Sequence, residues 1–357
     1  MKILYLMHVD WNWIKQRPHF VAEYLAKNGC EVEVYYNKYG HKDLVDNKWN
    51  FSTLQPLPKL RGARFSIIQF LNRILYYFYI KKLQKQTSYD YIFLTHPSMF
   101  TKSMIGKIIY DCMDDNAAFN VSAREKKEIL LKERILVGKA NIVLFSSQYL
   151  CDTVLRRNAL LPKKYAVVNN AIELPTIDIK GNYGRKNADT LVLAYIGTIS
   201  DWFDFDMLLQ VQKKYQEKKL LFNLYGPVDV KNKRIDGSFN LMGAISHDKI
   251  FDVMAASDIL IMPFVVTELI KSVNPVKLYE YIYSGKPIIC VRYGESEKFN
   301  EQVYLYDSEN ADSFIAQLNL IEKNDFKGKL SEKEALEYVS ANTWQARVGT
   351  ILKLLKE

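Results

Sequence analysis

Cysteine is scarce in this chain, and the four present, Cys30, Cys112, Cys151 and Cys290, stand singly with no C-x-x-C pair. That spacing argues against a zinc site or a disulfide framework and fits a reducing cytoplasm. No apolar run reaches the roughly 20 residues a membrane span needs. The most apolar stretch, residues 65–80, is shorter and contains Arg73. The opening Met1-Lys2-Ile3-Leu4-Tyr5-Leu6-Met7-His8 has one basic side chain and an apolar run that breaks at Asp10. It is too short for a secretion signal and reads as a first buried strand. No repeat of fixed period is visible, which excludes solenoids and propellers. Helix-turn-helix, RNP-like and zinc-finger patterns are also missing, so no nucleic-acid partner is expected.

What is present is the mix of an ordinary globular chain, 48% hydrophobic and 25% charged over 357 residues. At roughly 150 residues per domain this length suggests two domains. The net charge of +9 is unevenly shared: residues 1–175 hold 26 basic and 15 acidic side chains, residues 176–357 hold 23 and 25. Two modules with different partners are implied, the first seeking something anionic. Strand-length apolar runs at 2–8, 31–36, 91–95, 107–112, 141–146 and 165–168 alternate with helical patterns at 17–28 and 124–138. After a linker-like stretch at 173–189, further runs lie at 190–196, 220–225, 239–242, 259–262, 287–291 and 303–306, with helices near 204–217, 247–256 and 274–284. This predicts an α/β chain of two doubly wound domains, 1–175 and 176–340. Ligands of such sheets bind at the carboxyl ends of the strands, so two domains facing across a cleft would place function in the loops after strands.

One segment, Asn274-Pro275-Val276-Lys277-Leu278-Tyr279-Glu280-Tyr281, carries the pattern of an anion site. Pro275 suits a first helical turn, whose free N–H groups attract anions, and Lys277 adds a full positive charge. Glu280 lies on nearly the same face and can accept hydrogen bonds from a ribose diol. The plainer reading is an i, i+3 surface ion pair. Gly197-Thr198 after the strand ending at Ile196 either lets backbone approach a diphosphate or forms an ordinary strand-end turn.

Residues 59–86 carry Lys59, Arg61, Arg64, Arg73, Lys81, Lys82 and Lys85 with no acidic residue, interleaved with apolar and aromatic side chains. Such a cationic helix suits the headgroups of an anionic bilayer. The alternatives are a long helix with its apolar side toward the sheet, or single-stranded nucleic acid.

The 274–281 segment resembles the nucleotide-binding motif of GT-B glycosyltransferases, especially family-4-like enzymes of teichuronic-acid, capsule and O-antigen polysaccharide synthesis. The resemblance also covers Trp11-x-Trp13-x-x-Gln16-Arg17-Pro18-His19, Tyr110-Asp111-x-Met113-Asp114-Asp115, Tyr195-Ile196-Gly197-Thr198-Ile199-x-x-Trp202-Phe203-Asp204, Gly226-Pro227 and 256–264. It implies a GT-B fold and a glycosyltransferase. A nucleotide-diphosphate sugar, by analogy UDP-linked, would be the donor, and a glycan or lipid-linked saccharide the acceptor. Glu280 matches the second glutamate of the family's E-x7-E motif, whose first position is Ser272 here, with Glu268 the nearest candidate. An Arg and a Lys common after the second domain's first strand are replaced by Ile199-Ser200-Asp201-Trp202. In similar enzymes, loops like those at Tyr225-Gly226 and Gly243 hold base and ribose, alongside Asn274 and Leu278, and a C-terminal helix, here 341–357, crosses back to the first domain and makes Trp344 a packing residue. No cofactor or metal is expected, since helix N–H groups and Lys277 can neutralise the leaving group and no D-x-D triplet stands at a cleft loop.

Direct displacement needs a carboxylate or histidine within reach of the acceptor hydroxyl. Asp114 is the first candidate, because like charges at Asp111 and Asp115 would raise its pKa. The other reading makes all three aspartates turn formers and caps. Asp10 and His96 are reserves, each ending a strand. On the acceptor side, Asp115 completes the loop, while Trp11 and Trp13 either stack on a sugar ring or pack as a rigid lid. Two rivals share much of this reading: a sugar-nucleotide epimerase on the same fold, and a non-catalytic binding subunit of a polysaccharide assembly complex.

Overall fold

The computed structural model describes residues 1–40, 51–62, 65–175, 189–230, 235–246 and 249–357. The chain divides into two units, Met1–Asn170 with Trp344–Glu357, and Ala171–Thr343. Most of the linker-like stretch, residues 176–188, lies outside the described residues.

In the first unit, β1 (Lys2–Met7), β2 (Glu31–Tyr36), β3 (Thr53–Pro56), β4 (Tyr91–Leu94), β5 (Lys107–Cys112), β6 (Ile142–Phe145) and β7 (Tyr165–Val167) form one parallel sheet in the order β3-β2-β1-β4-β5-β6-β7. Its helices are α1 (Arg17–Lys27), α2 (Ser66–Gln86), α3 (Ala123–Lys139) and α4 (Gln148–Asn158). A parallel sheet covered on both faces needs apolar side chains on both, so its inner strands read as continuous hydrophobic runs. Ile3 to Met7 are all fully buried, and Tyr5 stacks on Phe93 with ring centroids 4.7 Å apart. The edge strand β3 was not anticipated. Its Thr-Leu-Gln-Pro sequence has no apolar run, and Pro56 is tolerated because an edge strand leaves one row of N–H groups unused.

The second unit contains β8 (Thr190–Ile196), β9 (Ile199–Ser200), α5 (Phe205–Lys214), β10 (Lys219–Tyr225), β11 (Val228–Asp229), β12 (Phe239–Gly243), α6 (Ile250–Ala256), β13 (Ile259–Met262), α7 (Glu268–Ser272), α8 (Val276–Tyr283), β14 (Ile288–Val291), β15 (Tyr304–Tyr306), α9 (Ala311–Lys323) and α10 (Glu332–Ala341). Its six-stranded parallel sheet runs β12-β10-β8-β13-β14-β15, and β9 pairs with β11 in a short separate ladder. Both large sheets place their first strand inside and reverse direction beside it, the doubly wound arrangement.

The final stretch is two helices. After α10 the chain breaks at Asn342, and Thr343 bridges Ile172 before α11 (Trp344–Lys356) begins. Helix α11 packs in the first unit against α1. Trp344 stacks on Phe20 at 4.9 Å, and the Tyr91 hydroxyl donates to the Leu355 carbonyl at 2.7 Å.

Candidate functional site

In the first sheet the strand order reverses between β1 and β4, and the loops that follow them part there. His8 ends the β1 side and His96 the β4 side, with ring centroids 4.9 Å apart. Thr95 Oγ1 lies 2.7 Å from His8 Nδ1 and accepts the His8 main-chain N–H at 3.0 Å. Burial holds both imidazoles below the ordinary histidine range, His96 at about 4. His96 also caps the short helical turn Pro97–Met99, its Nδ1 accepting from the Ser98 main-chain N–H at 3.0 Å.

The next strand, β5, delivers the three aspartates to different environments. Asp111 is fully buried and gripped by Arg17, whose Nε and Nη2 donate to it at 2.8–3.1 Å while Nη1 donates to the Val168 carbonyl at 2.7 Å. Asp115 accepts from Arg157 Nη1 at 2.7 Å and from the Ala117 N–H at 3.2 Å. Arg157 in turn pairs with buried Glu133, which Asn158 also supports. Asp115, expected on the acceptor side, is therefore part of a structural ion network.

Asp114 stands between these two pairs. Among the described residues, no side-chain hydrogen bond or ion pair to its carboxylate is present. Its pKa is raised to about 6, chiefly by burial, with Asp111 and Asp115 adding to the rise and Arg17 opposing it. Like charge, the cause expected from sequence, is the smaller contribution because each neighbouring aspartate has an arginine of its own.

Two other expectations change. Asp10 is buried, with Oδ2 accepting from the Tyr39 N–H at 2.7 Å and Oδ1 from the Asn12 N–H at 3.1 Å. Both oxygens thus hold the loop after β1, which makes Asp10 a loop organiser. Trp11 is 1% exposed and packs against His19 and Phe51, so it offers no face to a sugar. Trp13 is half-buried and closes the turn through its N–H to the Asp10 carbonyl.

In the second unit, β8 and β13 pair only at Leu193 and Ala194 and then separate. Beyond that point the Ile196 N–H donates to the buried Tyr281 hydroxyl at 2.8 Å, which anchors α8 to the end of β8. The loops after β8, β10 and β12 are tied together: Gly197 N–H donates to the Tyr225 carbonyl, and Gly226 N–H to the Gly243 carbonyl, both at 2.8 Å. A Cβ on Gly226 would fall 1.9 Å from the Gly197 carbonyl oxygen, and its φ of +146° suits glycine. A Cβ on Gly197 would meet the Tyr195 hydroxyl at 2.7 Å, and that hydroxyl donates to the Thr198 carbonyl at 3.0 Å. Internal packing alone already requires glycine at 226, whereas at 197 the tip of the Tyr195 side chain would have to shift.

Pro275 is the residue that caps α8 rather than its first helical residue. Lys277 Nζ and Glu280 Oε2 are 2.7 Å apart, so cation and carboxylate meet on one face. Leu278 is fully buried in the core and its N–H goes to the Pro275 carbonyl at 3.2 Å, which leaves its side chain out of any site. Asn274 is buried, with Tyr279 OH at 3.4 Å from its Oδ1. Ser272 is buried and donates to the Leu269 carbonyl, while Glu268 pairs with Lys271 near the surface. An Asp204-Phe205-Asp206 triplet does follow the β9 loop, and there Asp204 Oδ1 caps α5 by accepting from the Met207 N–H at 3.0 Å.

Helix α2 buries only Ile80 and Leu83. Its first half instead presents Ile67, Phe70, Leu71 and Ile74 to the outside, with Phe65 just before it and Phe78 further along also exposed. Arg61, Lys81 and Lys82 are exposed, Arg73 pairs with Glu128 of α3 at 2.6 Å, and Arg64 lies outside the described residues. An apolar side turned wholly to the sheet is therefore not what this helix has.

Sequence reading missed His8, Arg157 and Tyr281. Position at the switch point of the sheet could have flagged His8, whereas the others act through partners distant in sequence.

Two doubly wound parallel units define the class, and the fold is that of the GT-B glycosyltransferases. Sucrose-phosphate synthase from Thermosynechococcus elongatus superposes with a TM-score of 0.74 at 14% identity, covering 100% of this chain and 98% of that one. The Anabaena protein Alr3699/HepE, solved with UDP and glucose, gives 0.68 at 14% identity and covers 100% of both chains. Residues 190–324, within the second unit, match the family model described as glycosyl transferases group 1. In sequence the chain is 25% identical over 253 residues to a Bacillus subtilis (strain 168) protein named as the teichuronic acid biosynthesis glycosyltransferase TuaH. That similarity spans 65% of this chain and 62% of the relative.

Proposed function

We propose that the protein is a glycosyltransferase that moves a sugar from a nucleotide-diphosphate donor, UDP-linked, to a glycan or lipid-linked saccharide in bacterial cell-surface polysaccharide synthesis. The observation that carries this reading is the group 1 match over 190–324, which falls on the unit holding the Gly197, Gly226 and Gly243 loops and α8. The UDP and glucose bound by the Anabaena protein favour a UDP-sugar, and the teichuronic-acid relative favours a polysaccharide product.

In this reading the second unit binds the donor. The Lys277–Glu280 pair opens on binding, Lys277 turning to the diphosphate and Glu280 to the ribose hydroxyls. With the α8 amides, Lys277 stabilises the charge that develops on the leaving diphosphate, and no metal is required. The first unit takes the acceptor, and Asp114 accepts the proton of the attacking hydroxyl. A carboxyl with a pKa near 6 is mostly ionised at pH 7 yet basic enough to take a proton as the new bond forms.

The exposed apolar and basic residues of α2 dock the protein on the cytoplasmic face of an anionic membrane, each basic side chain near the surface contributing about 1 kcal/mol. A lipid-linked acceptor would be met there.

Thermal unfolding of the purified protein with UDP, GDP, CMP and their sugar conjugates, without added metal, tests the donor assignment. A ligand that binds only the folded state raises the midpoint. A rise with UDP or a UDP-sugar that Glu280→Ala diminishes is expected. No rise with any nucleotide would overturn the assignment of Lys277 and Glu280.

A further inference from the structure

Strand β8 loses a neighbour before it ends. On the side that faces β13, Val192 exchanges hydrogen bonds with Asp258: its N–H donates to the carboxylate at 2.8 Å, and its carbonyl accepts the Asp258 N–H at 2.9 Å. Ala194 then pairs with Leu260. Alternate residues of a strand turn their N–H groups to the same neighbour, so the next on this side is Ile196. By that point β13 has parted from β8, and its Ile261 and Met262 pair with β14. Ile196 is buried, and a buried N–H needs an acceptor. The Tyr281 hydroxyl supplies it at 2.8 Å, standing in for the missing strand.

The next residue is Gly197, whose N–H turns to the other side and donates to the Tyr225 carbonyl at 2.8 Å. The Tyr195 hydroxyl donates to the Thr198 carbonyl at 3.0 Å. Three anchors therefore hold the Gly197–Thr198 turn, and only Tyr281 reaches it from α8. On that helix Tyr281 follows Glu280 directly and stands about one turn after Lys277, the two residues that meet at 2.7 Å. The chemistry of the acceptor also fits the place. Further back along β8 the acceptor is the Asp258 carboxylate, whereas here it is a fully buried phenol, which burial holds well above the usual tyrosine pKa. A neutral acceptor adds no negative charge beside a bound diphosphate.

We propose that Tyr281 is a positioning residue for the donor nucleotide: by accepting the Ile196 N–H it locks the Gly197–Thr198 turn to α8, so that the turn and the Lys277–Glu280 face stand at a fixed spacing before any nucleotide arrives. This rests on the reading of the second unit as the donor site. Binding to a preformed site spares the nucleotide the cost of ordering the turn.

Titration calorimetry with UDP, at a temperature where each protein is folded, tests the proposal on Tyr281→Phe, which removes the one oxygen. UDP affinity should fall about 5- to 30-fold. In turnover of a UDP-sugar, donor KM should rise by a similar factor while kcat stays within about threefold. Tyr304→Phe is the matched control, since that hydroxyl donates to the Lys327 carbonyl at 3.2 Å in the same unit and touches neither the turn nor α8; its UDP affinity should equal that of wild type. Wild-type affinity in Tyr281→Phe, or an equal loss in Tyr304→Phe, would overturn the positioning role alone. No UDP affinity in the wild type would overturn the donor reading and the proposal together.

Amide hydrogen exchange of the wild-type protein needs no variant to fold. The Ile196 and Gly197 amides should exchange slowly both without and with UDP. Fast exchange that slows only when UDP is added would show a turn formed by the ligand, which contradicts a preformed site.

Discussion

Arg17 and Asp111 form a buried fork, with Nε and Nη2 of the guanidinium donating to both carboxylate oxygens at 2.8–3.1 Å. The pair joins the start of α1 to the end of β5. Removing one partner of a buried pair leaves an uncompensated charge, which costs about 3–5 kcal/mol. Arg17→Met is therefore expected to lose that much in chemical denaturation, and Arg17→Met combined with Asp111→Leu should recover part of it. A loss below about 1 kcal/mol in the single variant would show that the fork does not hold the loop.

Gly226→Ala should be among the most damaging small changes in the second unit. The added methyl would lie 1.9 Å from the Gly197 carbonyl oxygen, and neither backbone can move without breaking the hydrogen bonds that tie the β8, β10 and β12 loops. A destabilisation above about 2 kcal/mol is expected, together with loss of the thermal shift by UDP. Full stability with normal nucleotide binding would mean that these loops are looser than their contacts imply.

His19 makes the protein acid-sensitive. It is fully buried, Nδ1 accepting from the Gln16 N–H at 3.1 Å and Nε2 lying 3.1 Å from the Trp11 carbonyl, and burial lowers its pKa to about 4. The unfolded chain, with an ordinary histidine near 6.5, then binds more protons than the folded one between about pH 6.5 and 4. Stability is present above that window and falls as the pH drops through it, by up to roughly 3 kcal/mol from this residue. Denaturation curves at pH 7 and pH 4.5 should show a smaller difference in His19→Gln than in wild type; equal differences would assign the acid sensitivity elsewhere.

Much of this architecture is legible in the sequence because buried parallel strands are apolar on both faces. Ile259–Met262 and Ile288–Val291 are entirely buried and stand out as such. The edge strand β3 has no such run and was invisible. The candidate site was legible only as residue types. Three aspartates share one loop, but Arg17 lies 94 positions from Asp111 and Arg157 lies 42 from Asp115, so which carboxylate has no ion-pair partner among the described residues is decided by the fold. The role of Tyr281 likewise depends on a partner brought in by another strand. Spacing did predict that Lys277 and Glu280 share a face, and they do, bonded to each other.

The exposed half of α2 gives a test on lipid. Ile67→Asp and Phe70→Asp alter exposed side chains, so stability should change by no more than about 0.5 kcal/mol. Co-sedimentation with vesicles of phosphatidylglycerol and phosphatidylcholine should fall strongly in these variants and in Lys81→Gln/Lys82→Gln. Binding that is unaffected by all of these changes would remove α2 from membrane contact.

The most direct test of the account is UDP release from a UDP-sugar in the presence of a saccharide acceptor, measured from pH 5 to 8 in wild type and in Asp114→Asn. Wild-type turnover is expected to climb as the pH rises through about 6, where the Asp114 carboxyl loses its proton, and then to level off. The asparagine variant should bind the nucleotide normally and turn over about 10²- to 10⁴-fold more slowly. Normal turnover in Asp114→Asn, with the same pH profile, would contradict the assignment of Asp114 as the base.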